Sequence, residues 1–270
     1  MTGKRTEHLL TVFLVIVFCL GGIFFSAACT TMDPGGVPDS APASSVKDEG
    51  KPLRWSGRTL VSVNGGKLRG LPVNRDVLVW KGIPYAEPPV GELRWKAPRD
   101  AAPWEGVRRC CSYGPECVQY AVFPESKIKG REDCLYLNVW RPWNDATDLP
   151  VYFWIHGGGN TTGSASYTPD YLGEEVVERT GAVYVSINYR LGPLGWFTHP
   201  ALREDAEGNA LDRSGNFGTL DILKALEWVQ ENIKAFGGDP GNVTVGGESA
   251  GAFNIISLLM SGESRGMFHK

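Results

Sequence analysis

Gly247-Glu248-Ser249-Ala250-Gly251 lies between the apolar run Val243-Thr244-Val245 and an unbroken helical stretch predicted over Ala250 to Met260. A serine on a sharp strand-to-helix turn is held in a strained backbone conformation with its Oγ projected outward. Glycines two residues to either side remove side chains that would clash. The chemistry is attack of a hydroxyl on a carbonyl carbon, with the next N–H, that of Ala250, aimed at the charge that develops on oxygen. The five-residue pattern alone also fits an ordinary Gly-rich turn. The strand before it and the helix after it favour the mounted nucleophile.

His156-Gly157-Gly158-Gly159 directly follows a second strand-like run, Val151 to Ile155. Bare glycines let successive backbone N–H groups converge on one point and stabilise a tetrahedral oxyanion, where losing one donor costs about 3 to 4 kcal/mol. A phosphate loop would carry Lys-Ser or Lys-Thr after its glycines, but here Asn160-Thr161-Thr162 follows. Two such loops, each at the end of a strand, are far more specific together than either is alone.

A serine needs a base. His8 falls in the N-terminal segment, and His199 sits in a Pro-flanked loop. His156 lies on the glycine loop, where a histidine packs or hydrogen-bonds to hold the loop. When a triad runs in the order serine, acid, histidine, only His269 is downstream, and no acid-bearing strand fits before it. The residues themselves therefore leave the serine's base unassigned.

The elements that must position these loops read as α/β. "LYLNVW", "VYFWIHGG", "AVYVSINYR" and "NVTVGG" are apolar on both faces, as in central strands of a parallel sheet covered on each side. Helical patterns alternate with them. "PDYLGEEVVERT" is one. "LDILKALEWVQENIKAF" is another, with Leu223, Leu226, Val229, Ile233 and Phe236 on one stripe, Asp221 in its first turn and Gly237-Gly238-Asp239-Pro240 as its stop. Upstream, "RTLVSVNGGKLRGL" reads as a hairpin about Asn64-Gly65, "DVLVWKGIPYA" as a strand, and Trp80 to Trp104 as an ordered loop.

The N-terminus has the pattern of an export signal. Lys4 and Arg5 precede the apolar stretch Leu9 to Phe25, which ends in Ser26-Ala27-Ala28-Cys29. That ending reads as a lipoprotein box with Cys29 as the lipidated residue, a plain cleaved signal or an uncleaved anchor being the alternatives. The domains expected are a signal over residues 1–29, a flexible Pro/Ser/Gly/Ala-rich linker over 30–52 and a folded part over 53–270. The protein is then exported, either anchored to a membrane through lipid or released as a periplasmic or secreted form. Net charge is −3 without a long basic run, which argues against a nucleic-acid partner. Cys110, Cys111, Cys117 and Cys134 allow three pairings, and the neighbours Cys110 and Cys111 are poorly placed to pair with each other.

From Val61 to Lys270 the chain resembles the type-B carboxylesterases, the group of para-nitrobenzyl esterases and cholinesterases. The resemblance rests on "KGIPYAEPPVGELRWKAPRD", "EDCLYLNVWRP", "WIHGGG", "NYRLGPLGWF", "GNFGTLD", "WVQENIKAFGGDPGNVTVGGESAG" and "GMFHK". It implies an α/β-hydrolase fold that stops after the helix following the serine, with a region of antiparallel strands at its N-terminal end. It also implies carboxylic ester hydrolysis through an acyl-enzyme. Ser249 is the implied nucleophile, Gly158, Gly159 and Ala250 the oxyanion donors, and Glu248 a residue lining the site. Cys117 and Cys134 are the implied disulfide. The substrate is a small-molecule ester, and neither metal nor organic cofactor is implied. Asn160 departs from the family pattern, which has an aromatic residue there, and Ile222 stands where Gln is usual. The family's acid and histidine lie beyond residue 270, so the chain taken by itself is expected to be inactive. A non-catalytic binding or adhesion module, as in neuroligin-like proteins, and a defunct fragment are the alternatives.

Overall fold

A computed structural model of the chain describes residues 56–121, 127–166, 173–204 and 209–270. All of them belong to the compact unit Val46–Lys270. The expected signal, the linker and Cys29 lie outside the described residues.

The N-terminal strands pair locally. β1 (Leu60–Val63) and β2 (Gly66–Arg69) form the expected hairpin, with Val63 opposite Gly66 across the two-residue turn Asn64-Gly65. β3 (Leu71–Pro72) turns back onto β4 (Val77–Pro84), and β5 (Val107–Arg109) lies parallel to β2. Of the stretch read as a loop, Trp80 to Pro84 belongs to β4. The remainder holds a single 3-10 turn, Gly91–Leu93. A short hairpin of β6 (Gln119–Ala121) and β7 (Lys127–Lys129) follows.

The central sheet adds β8 (Tyr136–Pro142), β9 (Leu149–Ile155), β10 (Val183–Ile187) and β11 (Gly238–Gly247), in the order β11-β9-β10-β8-β4-β3. β9, β10 and β11 run parallel, as expected. β8 does not: it is antiparallel to both β10 and β4. Every residue of β10 and all but the first of β8 are buried. A continuous apolar run reports that both faces of a strand are covered. It carries no information about the direction of the neighbouring strand.

Helix α1 (Gly173–Thr180) leads into β10, and the short α2 (Gly192–Gly195) and α3 (Pro200–Glu204) follow it. Helix α4 (Phe217–Asn232) continues as a 3-10 turn, Ile233–Phe236, and ends at Gly237 in the left-handed conformation, φ 76°. The stripe Leu223, Leu226, Val229, Ile233 and Phe236 is buried as a unit. The helix begins earlier than its apolar period indicated, so Asp221 is not a first-turn charge. Its carboxylate is fully buried and paired with Arg190. Trp80 packs edge-on against Phe236, centroids 5.0 Å apart, and fixes the sheet against the end of α4. Helix α5 (Ala250–Met260) matches its expected bounds.

The outer edge of β11 is not bare. Val243 O accepts from His269 N at 2.8 Å, and Val245 N donates to Lys270 O at 2.9 Å. Among the described residues no helix is long and apolar enough to cross a membrane.

Candidate active site

The two loops singled out in the sequence leave the sheet side by side. Gly247, the last residue of β11, is paired with Ile155, the last of β9. Beyond these partners one chain enters the glycine run and the other reaches Ser249. Neighbouring strands lie about 4.8 Å apart, so strand pairing itself sets the spacing of the loops.

Ser249 has φ 52° and ψ −117°, a conformation that is costly for a residue with a side chain, and it precedes the first turn of α5. Both Ser249 and Glu248 are exposed. Three glycines make the turn sterically feasible. A Cβ at Gly251 would stand 2.9 Å from the carbonyl carbon of Ile155 and 3.0 Å from His156 O. One at Gly247 would stand 2.6 Å from the carbonyl carbon of Gly251. The third is Gly157, which the sequence reading did not assign. A Cβ there would collide with the Glu248 carboxylate and lie 3.1 Å from Ser249 Cβ. Gly157 is the point at which the glycine run touches the serine turn.

Gly158, Gly159 and Ala250 sit around this contact, and none of their N–H groups finds an acceptor among the described residues. Their directions follow from peptide planarity, because C=O and N–H of one trans peptide point opposite ways. Gly157 O accepts from His156 Nδ1 at 2.8 Å, which turns the Gly158 N–H to the other side. Gly158 O collects Thr161 N at 3.1 Å, Thr162 N at 3.0 Å and both threonine hydroxyls at 3.2 Å, which does the same for the Gly159 N–H. Positive φ at Gly158 (103°), Gly159 (63°) and Asn160 (57°) completes the loop.

His156 is buried and stacked on Tyr189, centroids 4.4 Å apart. A carbonyl only accepts, so Nδ1 carries the proton. Nε2 is then a lone-pair nitrogen without a partner among the described residues. Burial pushes its pKa down to about 4, against a smaller upward pull from the Gly157 carbonyl. His156 is therefore a neutral prop for the loop. His199 Nδ1 accepts from Ala201 N at 3.3 Å, and His269 Nδ1 from Val243 N at 3.2 Å. Among the described residues the Ser249 hydroxyl has no hydrogen-bond partner.

Behind the loop, the Gln119 amide brackets Gly163: Oε1 accepts from Gly163 N and Nε2 donates to Gly163 O, each at 2.9 Å. Gln119 is held close to the Cys117–Cys134 disulfide, the pairing the resemblance implied. Neither Cys110 nor Cys111 is part of a disulfide; burial pushes Cys110 up to about 12. Asn160 stands where the resemblance has an aromatic residue. Its side chain faces Asn254 of α5. Among the described residues no cluster of three His, Cys, Asp or Glu could hold a metal ion.

A serine on a positive-φ turn, abutting a glycine loop with unpaired amides on an α/β-hydrolase sheet, is the arrangement of a serine esterase. The sequence matches the profile of the carboxylesterase family over residues 57–270, and the chain belongs to that family. It is 43% identical over 219 residues to the para-nitrobenzyl esterase of Bacillus subtilis (strain 168), a match that spans 78% of this chain and 42% of the relative. It is 39% identical to the phenmedipham hydrolase of Pseudarthrobacter oxydans, over 79% of this chain and 42% of that one. Among solved structures, a PNB esterase superposes with a TM-score of 0.71 at 42% identity, covering 80% of this chain and 43% of that chain. The carboxylesterase Est55 of Geobacillus stearothermophilus does so with a TM-score of 0.69 at 45% identity, covering 79% and 42%. The chain thus spans less than half the length of the relatives it matches.

Proposed function

We propose that Ser249 is the nucleophile of a carboxylic ester hydrolase that works through an acyl-enzyme. Its Oγ attacks the ester carbonyl of a small-molecule substrate. The oxygen that becomes negative takes hydrogen bonds from Gly158, Gly159 and Ala250. The alcohol leaves, and water then cleaves the acyl-serine. Glu248 lines the site beside the serine. The base that takes the Ser249 proton comes from outside the described residues. The observation that carries this reading is the contact of Gly157 with the positive-φ Ser249.

The test supplies a base from solution. The chain is exposed to p-nitrophenyl acetate with free imidazole, and acetyl groups are located by peptide mass mapping. Ser249 should be acetylated well ahead of Ser257, an exposed serine on the same helix, and Ser249→Ala should lose that adduct. Equal labelling of the two serines would favour a non-catalytic module instead.

Residues 1–29 are proposed to direct export, with Cys29 carrying lipid. The Cys117–Cys134 bond supports an oxidising compartment. Incorporation of labelled palmitate, abolished by Cys29→Ser, is the expected result. Labelling that survives that change would refute it.

A further inference from the structure

A side-chain pair joins the glycine loop to the serine helix. Asn160, the first residue after the glycines, donates from Nδ2 to Asn254 Oδ1 at 3.3 Å, and Asn254 returns a bond from Nδ2 to Asn160 Oδ1 at 2.9 Å. Asn254 is buried, 4% exposed, in the second turn of α5. Its backbone conformation and two further contacts fix Asn160. Its φ of 57° suits asparagine better than most residues. Its carbonyl accepts from Gly192 N at 2.6 Å. Its Oδ1 lies 3.3 Å from the Tyr189 hydroxyl, which also donates to His156 O at 2.7 Å. One residue therefore links both ends of the glycine run to the helix whose first turn follows Ser249.

We propose that the Asn160–Asn254 amide pair is the positioning device that holds the oxyanion amides in register with the nucleophile, a role that rests on the function proposed above. The pair touches neither the reacting oxygen nor the carbonyl. It spans two backbones that also approach closely at Gly157, against the Ser249 turn, and at Gly251, against the end of β9. Such backbones have no side chains to interlock, so a polar crosslink is the element that sets the loop's height over α5. A planar amide dimer satisfies donors and acceptors on both sides while tolerating little sliding.

The test separates positioning from folding and needs no base. In a Ser249→Cys background the introduced thiol ionises by itself as pH rises. Acetylation by p-nitrophenyl acetate forms an S–C bond, breaks the ester C–O bond and releases p-nitrophenolate, passing through an oxyanion. Alkylation by iodoacetamide displaces iodide and forms no oxyanion. Both rates are read by peptide mapping, with the half-buried Cys111 as internal reference. Asn160→Gly, which also relieves the positive φ, and Asn254→Ala should each lower the acetylation-to-alkylation ratio roughly ten- to a hundredfold. Alkylation should stay unchanged, and the double variant should be no worse than either single one. A ratio that survives both substitutions overturns the clamp while leaving the oxyanion site intact. A parent ratio no higher than that of Cys111 removes the oxyanion site and the clamp with it.

Discussion

Gly251 rests directly on the end of β9: its Cα faces the Ile155 carbonyl so closely that a methyl group would stand 2.9 Å from the carbonyl carbon. Both contact surfaces are backbone, so neither can rotate away as a side chain would. Gly251→Ala should therefore push α5 off the sheet. We expect a loss of about 3 kcal/mol in urea unfolding, at the upper end of overpacking effects, together with loss of selective Ser249 acetylation. Ala252→Ser, one residue on and exposed, should change neither.

The second prediction concerns the ion pair beneath the loops. Arg190 meets Asp221 through Nη2–Oδ1 at 2.8 Å and Nε–Oδ2 at 2.9 Å, with both side chains buried, and Arg190 Nη1 donates to Lys96 O. Asp221→Ala strands a buried guanidinium and should cost about 3 to 5 kcal/mol. Replacing both partners by apolar residues, Arg190→Met with Asp221→Leu, should cost clearly less. A double variant as unstable as the single one would argue against charge desolvation as the cause.

His156 gives stability a pH dependence. Its folded-state pKa is depressed to about 4 by burial, whereas an unfolded imidazole titrates near 6.5. Below about 6.5 the unfolded chain takes up the proton first, so this group's contribution falls as pH drops from there to about 4. Above 6.5 both states are neutral and it adds nothing. Between about pH 7 and pH 5 the loss attributable to His156 is on the order of 2 kcal/mol. In urea titrations at both pH values, the parent chain should lose about 2 kcal/mol more stability from pH 7 to pH 5 than His156→Gln does, and equal losses would contradict it.

Helix α5 carries the fourth prediction. Phe253, Ile256, Leu259 and Met260 lie on its open face, exposed by 70%, 52%, 67% and 84%. An apolar ridge of this kind favours association. Sedimentation velocity should show concentration-dependent self-association of the chain, reduced by Leu259→Lys with Met260→Lys. The same pair of substitutions should leave the melting temperature nearly unchanged, because neither residue is packed.

Much of this was legible in the residues. The Asn64-Gly65 turn, the stripe of α4 and the bounds of α5 follow from local rules of period and turn chemistry. The serine turn and glycine loop were visible because their glycines mark places where backbone meets backbone. The direction of β8 was not, since an apolar run is the same whichever way the neighbouring strand points. Asp221 misled for a related reason. An acidic residue near a helix start has a local explanation, and the buried Arg190 that claims it is distant in sequence. Gly157 and the Asn160–Asn254 pair were hidden because their partners lie some ninety positions away.

The pairing of Gly247 with Ile155 has an evolutionary consequence. The side-by-side exit of the two loops is written in hydrogen bonds between main chains, so side chains that touch neither loop are free to diverge without disturbing it. A scaffold of this kind can exchange one substrate for another by accumulating surface changes, each tested by selection on an unaltered engine.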